Sequence, residues 1–436
     1  MSHSPRIRLA AVAASVALLA MAGCSGGDAT PEPGSSTTGA ETPSGEILVL
    51  TNRTDIVDTT FQDYKKTFEA KYPDVKVKFE ALTDYEGEVK TRMNTKEYGD
   101  VLLIPSTVQQ ADYPDFFEPL GTTDELGKTY RFINEAAVDG TVYGIATFGN
   151  ANGMVYNKDV FKAAGITEMP KTSEEFMADL QAVKDKTDAI PLYTNYKDGW
   201  PLGWPQSLMG SVSGDAEALV KMADDKSPWD DGKEKATLDS MLFDVVKAGL
   251  TEQDPTTTNW ENSKNLIGTG KIAVMPLGTW ALAQMQEAAT KAGADPKSIG
   301  YMPPPVQVDG TFVSPIGGDF KMAININSEH KAAARAWIDW MGNESGYSDE
   351  VGGLSPLIDH PAPTALKEFE ATGVKYLEMT PAPKLSTVDN KAEIGLSSPD
   401  YYRELVDAAR GASGKSKEDI FKSLNEKWGA AVESVG

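Results

Sequence analysis

Residues 140–176, GTVYGIATFGNANGMVYNKDVFKAAGITEMPKTSEEF, constrain the fold more than any other part of this sequence. Val142 to Ala146 reads as a short extended run. Phe148-Gly149-Asn150-Ala151-Asn152-Gly153 is small, polar and rich in glycine, and Met154 to Asn157 is extended again. Asp159 to Ala164 suits a short helix, and Gly165 suits its left-handed C-terminal cap. Thr172 and Glu175 have the spacing of a capping box and open a further helix after Pro170. A strand therefore leaves one folded unit, passes a flexible joint, and enters a second unit as a strand.

The flanking chain carries the same alternation. Ile47 to Leu50 and Val101 to Ile104 are continuous apolar runs, suited to strands buried on both faces. Between them, Phe61, Tyr64, Phe68 and Tyr72 recur at helical spacing, Pro73 stops the helix, and Val75, Val77 and Phe79 alternate as a strand. Beyond the joint, Phe176, Leu180 and Val183 mark a helix, as do Leu238, Leu242, Phe243 and Val246. Ile272 to Leu277 is a strand that ends in Gly278-Thr279-Trp280. Gly317-Gly318-Asp319 precedes another extended run, Met322 to Ile326, and suggests a return crossing. Ala333, Trp337 and Met341 make one helical stripe, and Tyr402, Leu405, Val406 and Ala409 another. Ile420, Leu424 and Trp428 mark the last helix, which begins at Ser416 and Asp419. Strand–helix alternation of this kind builds α/β units.

Gly140-x-x-Tyr143-Gly144-Ile145, Tyr156-Asn157-Lys158-Asp159, Phe161, Gly165 and Pro170-x-Thr172-x-x-Glu175 resemble the signature of extracellular solute-binding proteins of carbohydrate-type ABC importers, the maltose-binding-protein-like family. Ala146 departs from the family, which usually has Pro there. With gaps, the resemblance runs from about Glu46 to Trp428. It implies an α/β, two-lobe periplasmic-binding-protein-like fold of mostly parallel sheets with helices on both faces and a ligand cleft between the lobes. The expected organisation is residues 46–149 and 317–360 in lobe 1, and 150–316 and 361–436 in lobe 2. Hinge joints are expected near Phe148–Ala151 and Ser314–Gly318. The implied partners are a small carbohydrate, a sugar or oligosaccharide, and the subunits of a membrane permease.

Charge and cysteine bound the alternatives. The net charge is −23, and loss of residues 1–23, with Arg6 and Arg8 and no acid, would make it −25. Nucleic acid is a poor partner for such a chain, because phosphate backbones demand Lys and Arg. The single cysteine, Cys24, rules out an intramolecular disulfide. Arg6 and Arg8 precede an apolar run of 13 residues, Leu9 to Met21, which is too short to span a bilayer comfortably and right for a signal peptide. Ala22-Gly23-Cys24 resembles a bacterial lipobox, with Met21 where Leu is usual. It implies cleavage after residue 23 and lipid attachment to Cys24. The alternative is a plain signal peptide with an incidental cysteine. Residues 24–45 are rich in Ser, Thr, Gly and Pro and read as a flexible tether. A monomer, extracytoplasmic and lipid-anchored to the cell membrane, is expected.

In open α/β sheets, ligands bind beyond the carboxyl ends of the strands. Three such junctions, Thr51–Asp55, Ser106–Gln109 and Gly278–Trp280, are expected to converge. A sugar offers apolar C–H faces and a rim of hydroxyls, so its site needs aromatic rings together with Asp, Asn, Arg or Thr. Trp280 begins a helix where a core stripe does not require it, and by resemblance this Gly-x-Trp position stacks on the sugar. Trp200 and Trp204 lie in a Pro/Gly loop with Asn195 and Asp198, and Trp260 reads as a loop aromatic. Tyr401 resembles the family's late aromatic platform but borders the Tyr402/Leu405 stripe, so burial is the competing reading. Asn150 faces the cleft by resemblance. Thr54, Asp55, Ser106, Thr107 and Asp319 are further polar candidates, each also suited to capping a helix or turn. Trp337, Trp340 and Trp428 follow core spacing.

Enzyme and metal readings find little in the sequence. Only His330 and His360 lie beyond the leader, so a three-histidine metal site is impossible. No Gly-x-Ser-x-Gly elbow occurs beyond Cys24. Asp224, Asp225, Asp230 and Asp231 lack the spacing of a calcium loop. Neither cofactor nor metal is expected. Carboxylate pairs for glycoside cleavage remain open, since 64 acids offer many. A polysaccharide-cleaving exported enzyme and a receptor for peptides or polyamines are the alternatives.

Overall fold

The structure, a computed structural model, describes residues 42–436. The expected signal peptide, Cys24 and all but the end of the tether lie outside the described residues. No helix among the described residues is long and apolar enough to cross a membrane.

The first body is built on a five-stranded sheet in the order Val75–Ala81, Gly45–Thr51, Val101–Leu103, Lys321–Ile324 and Ile145–Ala146. Ile47, Leu50, Val77 and Leu102 are wholly buried in it. Helices Thr60–Lys71 and Lys331–Asn343 meet edge-on through Phe68 and Trp337, with ring centres 5.1 Å apart. The second body has a larger sheet in the order Gln307–Val308, Thr311–Gly318, Gly149–Asn157, Ile272–Gly278 and Ile190–Leu192. Strands Ile299–Met302 and Lys375–Glu378 join it beside Gly149–Asn157 and Thr311–Gly318 respectively. Its main core gathers Phe176, Leu180, Leu242, Tyr402, Leu405 and Trp428.

The sheets are mixed rather than mostly parallel. The first three strands of the first sheet are parallel, while Lys321–Ile324 runs against both its neighbours. In the second sheet, Gly149–Asn157 is antiparallel to all three of its partners. The cause is topological. The chain enters the second body along Gly149–Asn157 and leaves it along Thr311–Gly318, through neighbouring joints. Two such strands run in opposite directions and pair antiparallel, Ala151 opposite Ile316 and Gly149 opposite Gly318.

The helix signals fall where the local chemistry puts them. Gly165 takes φ 82° at the end of Lys158–Ala164. Thr172 caps Ser173–Lys186 by accepting from the Glu175 amide, 3.2 Å. The Glu175 carboxylate reaches back to the Lys171 amide, not to Thr172, so the reciprocal half of the expected box is displaced by one residue.

The joints are short. Thr147 donates from its amide to the Phe320 carbonyl at 2.9 Å, and the Asp319 amide donates to the Phe148 carbonyl at 2.8 Å. Residues 317 and 318 still belong to the second sheet, so the return joint falls at Asp319–Phe320 and the outward one at Thr147–Phe148. Gly149 and Leu354 exchange a pair of backbone hydrogen bonds at 2.7 and 2.8 Å beside them. Phe132, itself at φ 65°, packs against this junction, with its amide held by the Glu378 carboxylate at 2.9 Å. A Cβ on Gly149 would lie 2.2 Å from the Phe132 ring, and one on Gly318 would lie 2.8 Å from Phe132 Cβ. Gly149→Ala therefore forces a packed ring to move, and overpacking of this sort costs about 1–3 kcal/mol. A lowered Tm in thermal denaturation is the expected outcome; an unchanged Tm would mean that Phe132 is loosely held.

Candidate functional site

Three tryptophans from three separate segments meet on the second body. Trp200 opens the short turn Trp200–Gly203, Trp260 opens helix Trp260–Gly268, and Trp280 opens helix Trp280–Lys291. Each sits at the first position of its helical segment, where no apolar stripe has yet begun. Their ring centres lie 4.9 Å apart for Trp200 and Trp260, 5.6 Å for Trp200 and Trp280, and 5.7 Å for Trp260 and Trp280. Trp200 is 47% exposed, the most exposed large apolar side chain among the described residues. Trp260 and Trp280 are half-buried. The Lys264 ammonium stands 5.4 Å from the centre of the Trp260 ring. Trp260 thus belongs to a helix start, capped by Asn259, rather than to a loop.

A cavity of about 340 Å³ adjoins this cluster, lined by Trp200, Trp280, Trp204, Gln206, Asn152 and Leu396 among others. Trp204 is buried, and its indole Nε1 has no partner among the described residues. The same is true of one Asp198 carboxylate oxygen and of the whole side-chain amide of buried Asn195, whose φ is 56°. Buried polar groups without partners are uncommon, and they concentrate here in the loop that carries Trp200.

Tyr401 is a correction to the sequence reading. It lies in the core, its hydroxyl between the Asp239 carboxylate, to which it donates, and the Trp229 Nε1–H, 3.0 Å away. Asp239 also takes the Lys235 ammonium at 2.9 Å and the Trp229 indole at 2.8 Å. The helical stripe with Tyr402 and Leu405 wins because this polar network gives the phenol a complete set of partners indoors. Burial pushes the Tyr401 phenol well up and the Lys235 ammonium down from their ordinary values.

At the joints, Asn150 donates through Nδ2 to Asp319 at 3.0 Å, and its Oδ1 accepts from the Thr279 hydroxyl at 3.4 Å. Asp319 also accepts from the Phe320 amide at 2.8 Å. On the first body, Thr54 and Asp55 are exposed past the carboxyl end of Gly45–Thr51. Asp55 takes Arg53 in a two-pronged pair at 2.8 and 2.7 Å, and Arg53 donates to the Tyr347 hydroxyl at 2.7 Å. The guanidinium holds the Asp55 carboxyl below its usual value. Ser106 is exposed, with its amide and hydroxyl both on Glu86 at 3.2 Å, and Thr107 is exposed beside it.

The structure therefore brings Trp200, Trp260 and Trp280 together with Trp204 behind them, and joins Asn150 to Asp319. It leaves Thr54, Asp55, Ser106 and Thr107 on the other body. Arg53 and Tyr347 were not singled out from sequence. Arg53 stands in the loop after the first strand, and a cation at a strand's carboxyl end was the available signal. Tyr347 opens a four-residue helix and carried no pattern at all. Among the described residues there is no cluster of three or more His, Cys, Asp or Glu able to hold a metal.

Two α/β bodies, joined by paired strands with an aromatic cluster beside the crossing, define a two-lobed binding protein. A model of the family described as bacterial extracellular solute-binding protein matches residues 53–347, more than half of the sequence, and the chain belongs to that family. It is 27% identical over 300 residues to a multiple sugar-binding protein of Streptococcus mutans, covering 65% of this chain and 68% of that one. It is 27% identical over 352 residues to a diacetylchitobiose binding protein of Streptomyces coelicolor, covering 76% of each. Among solved structures, it resembles a manno-oligosaccharide specific solute binding protein of Bifidobacterium animalis subsp. lactis in complex with mannotriose. There the TM-score is 0.76 and the identity 34%, over 90% of this chain and 95% of the other. The family and these relatives are binding proteins rather than enzymes.

Proposed function

We propose that this protein is the solute-capture component of an ABC importer, which takes a sugar or oligosaccharide between two hinged lobes and passes it unaltered to a membrane permease. The observation that carries the reading is the meeting of Trp200, Trp260 and Trp280 on one surface. A pyranose face is a plate of C–H bonds, and an indole is the side chain best matched to it in area and polarity. Trp204, Gln206, Asp198 and Asn152 supply donors and acceptors for hydroxyls beside the rings, and Arg53 with Asp55 supplies them from the opposite lobe. Asn150 and Asp319 sit where the lobes join. Residues 46–148 and 319–360 make up one lobe and 149–318 and 361–436 the other. Closure follows if ligand binds the closed form more tightly than the open one. The oligosaccharides named for the relatives support a saccharide of more than one ring.

The protein acts outside the cytoplasm as a monomer, with a lipid on Cys24 holding it to the cell membrane and residues 24–45 as its tether. Several acyl chains, at ~0.8 kcal/mol per buried methylene, would make that anchorage durable.

A thermal-shift panel of oligosaccharides, including manno- and chito-oligosaccharides, tests the reading. One class raises Tm, by an increment that grows with the logarithm of ligand concentration, because ligand bound only by the folded state stabilises it. Product analysis of the same mixtures finds the saccharide intact. A panel in which polyamines or peptides shift Tm and no saccharide does, or in which saccharide is cleaved, contradicts it.

A further inference from the structure

We propose that Thr279, Asn150 and Asp319 are positioning residues that set the orientation of Trp280 and tie it to the joint between the lobes. Thr279 stands at the N-cap position of helix Trp280–Lys291, yet its hydroxyl makes no capping bond. A Thr at that position ordinarily stabilises its helix by about 1 kcal/mol. Here the hydroxyl accepts from the Ala151 amide at 3.1 Å and donates to Asn150 Oδ1 at 3.4 Å. The Thr279 amide donates to the Ala151 carbonyl at 3.0 Å. The cap is given over to the crossing strand.

From Asn150 the connection continues to Asp319, 3.0 Å away on the return joint. Asp319 in turn binds the Phe320 amide through its side chain and the Phe148 carbonyl through its own amide. It lines a cavity on the first lobe together with Arg53, Phe148 and Tyr347. At the other end, the indole of Trp280 folds back over Gly278. A Cβ there would lie 2.8 Å from Trp280 Cδ1 and 2.9 Å from Nε1. Gly278 itself pairs with Asn152 on the crossing strand. The ring thus rests on a backbone whose neighbour is the strand that turns when the lobes move. A rotation about Thr147–Phe148 and Asp319–Phe320 alters the Asn150–Asp319 bond, and through Thr279 it alters the indole. By reciprocity, whatever fixes the indole biases the joint.

The test labels the protein with 5-fluorotryptophan and follows it by ¹⁹F NMR, with the Trp280 resonance identified by its loss in Trp280→Phe. In the free protein, Asp319→Ala and Thr279→Val each move the Trp280 resonance by more than its linewidth. Asp319→Asn and Thr279→Ser, which keep an acceptor and a hydroxyl, leave it in place. The Trp428 resonance is unchanged throughout and reports an intact fold. A second arm, which rests on the saccharide reading, measures affinity for the saccharide that gave the largest thermal shift. Asp319→Ala weakens it at least about threefold in the otherwise unaltered protein and has less effect in the Trp280→Ala background, as coupled neighbours do. An unmoved Trp280 resonance in both Asp319→Ala and Thr279→Val overturns the inference, as does an equal loss of affinity in the two backgrounds. Should no saccharide bind, the saccharide reading falls, and the ¹⁹F arm alone decides whether these residues position the indole.

Discussion

Trp280→Ala is expected to weaken saccharide binding at least about fivefold while leaving Tm nearly unchanged. Loss of one aromatic stacking surface is worth ~1 kcal/mol or more, and the side chain is half-buried at a helix start rather than embedded in a core. Trp200→Ala should act in the same direction, since Trp200 touches both other rings and is the most solvent-facing of the three. Trp428→Ala should do the opposite. Its ring is fully buried and its Nε1 donates to the Asp225 carbonyl at 3.0 Å, so stability suffers first. Titration by intrinsic fluorescence, with Tm measured on each variant, separates the two kinds of effect. An affinity within twofold of the parent for Trp280→Ala would remove Trp280 from the stacking surface.

Asp239→Ala should be the most damaging single change to the fold. It leaves the enclosed Lys235 ammonium without its hydrogen-bonded carboxylate, with only the charge of Asp389 still acting on it, and strips the Tyr401 hydroxyl and the Trp229 indole of their shared acceptor. Removing one partner of a buried ion pair costs about 3–5 kcal/mol. The loss should depend on pH with a definite sign. Burial already lowers the Lys235 pKa, so in the variant the folded state holds fewer protons at this site than the unfolded chain. Stability of the variant relative to the parent then rises with pH, towards the unfolded lysine value of about 10.4. Thermal melts of both proteins between neutral and alkaline pH measure this. A gap in Tm that stays constant or widens with rising pH would show that Lys235 is not carrying the cost.

Much of the architecture was legible because it rests on local chemistry. Gly165 needed a left-handed cap, Thr172 needed an amide to accept from, and Trp280 broke the core period, all of which a single segment reveals. Sheet direction was not legible. The apolar runs at Ile47–Leu50 and Ile272–Leu277 look alike whichever way their neighbours run, and the antiparallel crossing depends on where the chain returns, more than 150 residues later. Tyr401 was ambiguous for the same reason. Its stripe permitted burial, but the partners that complete it, Asp239 and Trp229, are remote in sequence. Trp260 read as a loop residue because its helix is short and its cap, Asn259, is only one residue away from it. The gathering of Trp200, Trp260 and Trp280 on one surface could not be read from spacing, because each owes its place to a different strand or loop end.

In the proposed function, these three rings form the floor on which a saccharide is held between the lobes. A crystal structure of the protein grown with the oligosaccharide of largest thermal shift tests it most directly. The expected result is a pyranose ring stacked on Trp280 and its neighbours, with hydroxyls reached from the Arg53–Asp55 loop of the facing lobe. A saccharide bound elsewhere, with the three indoles facing solvent and the Arg53–Asp55 loop turned away from them, would contradict it.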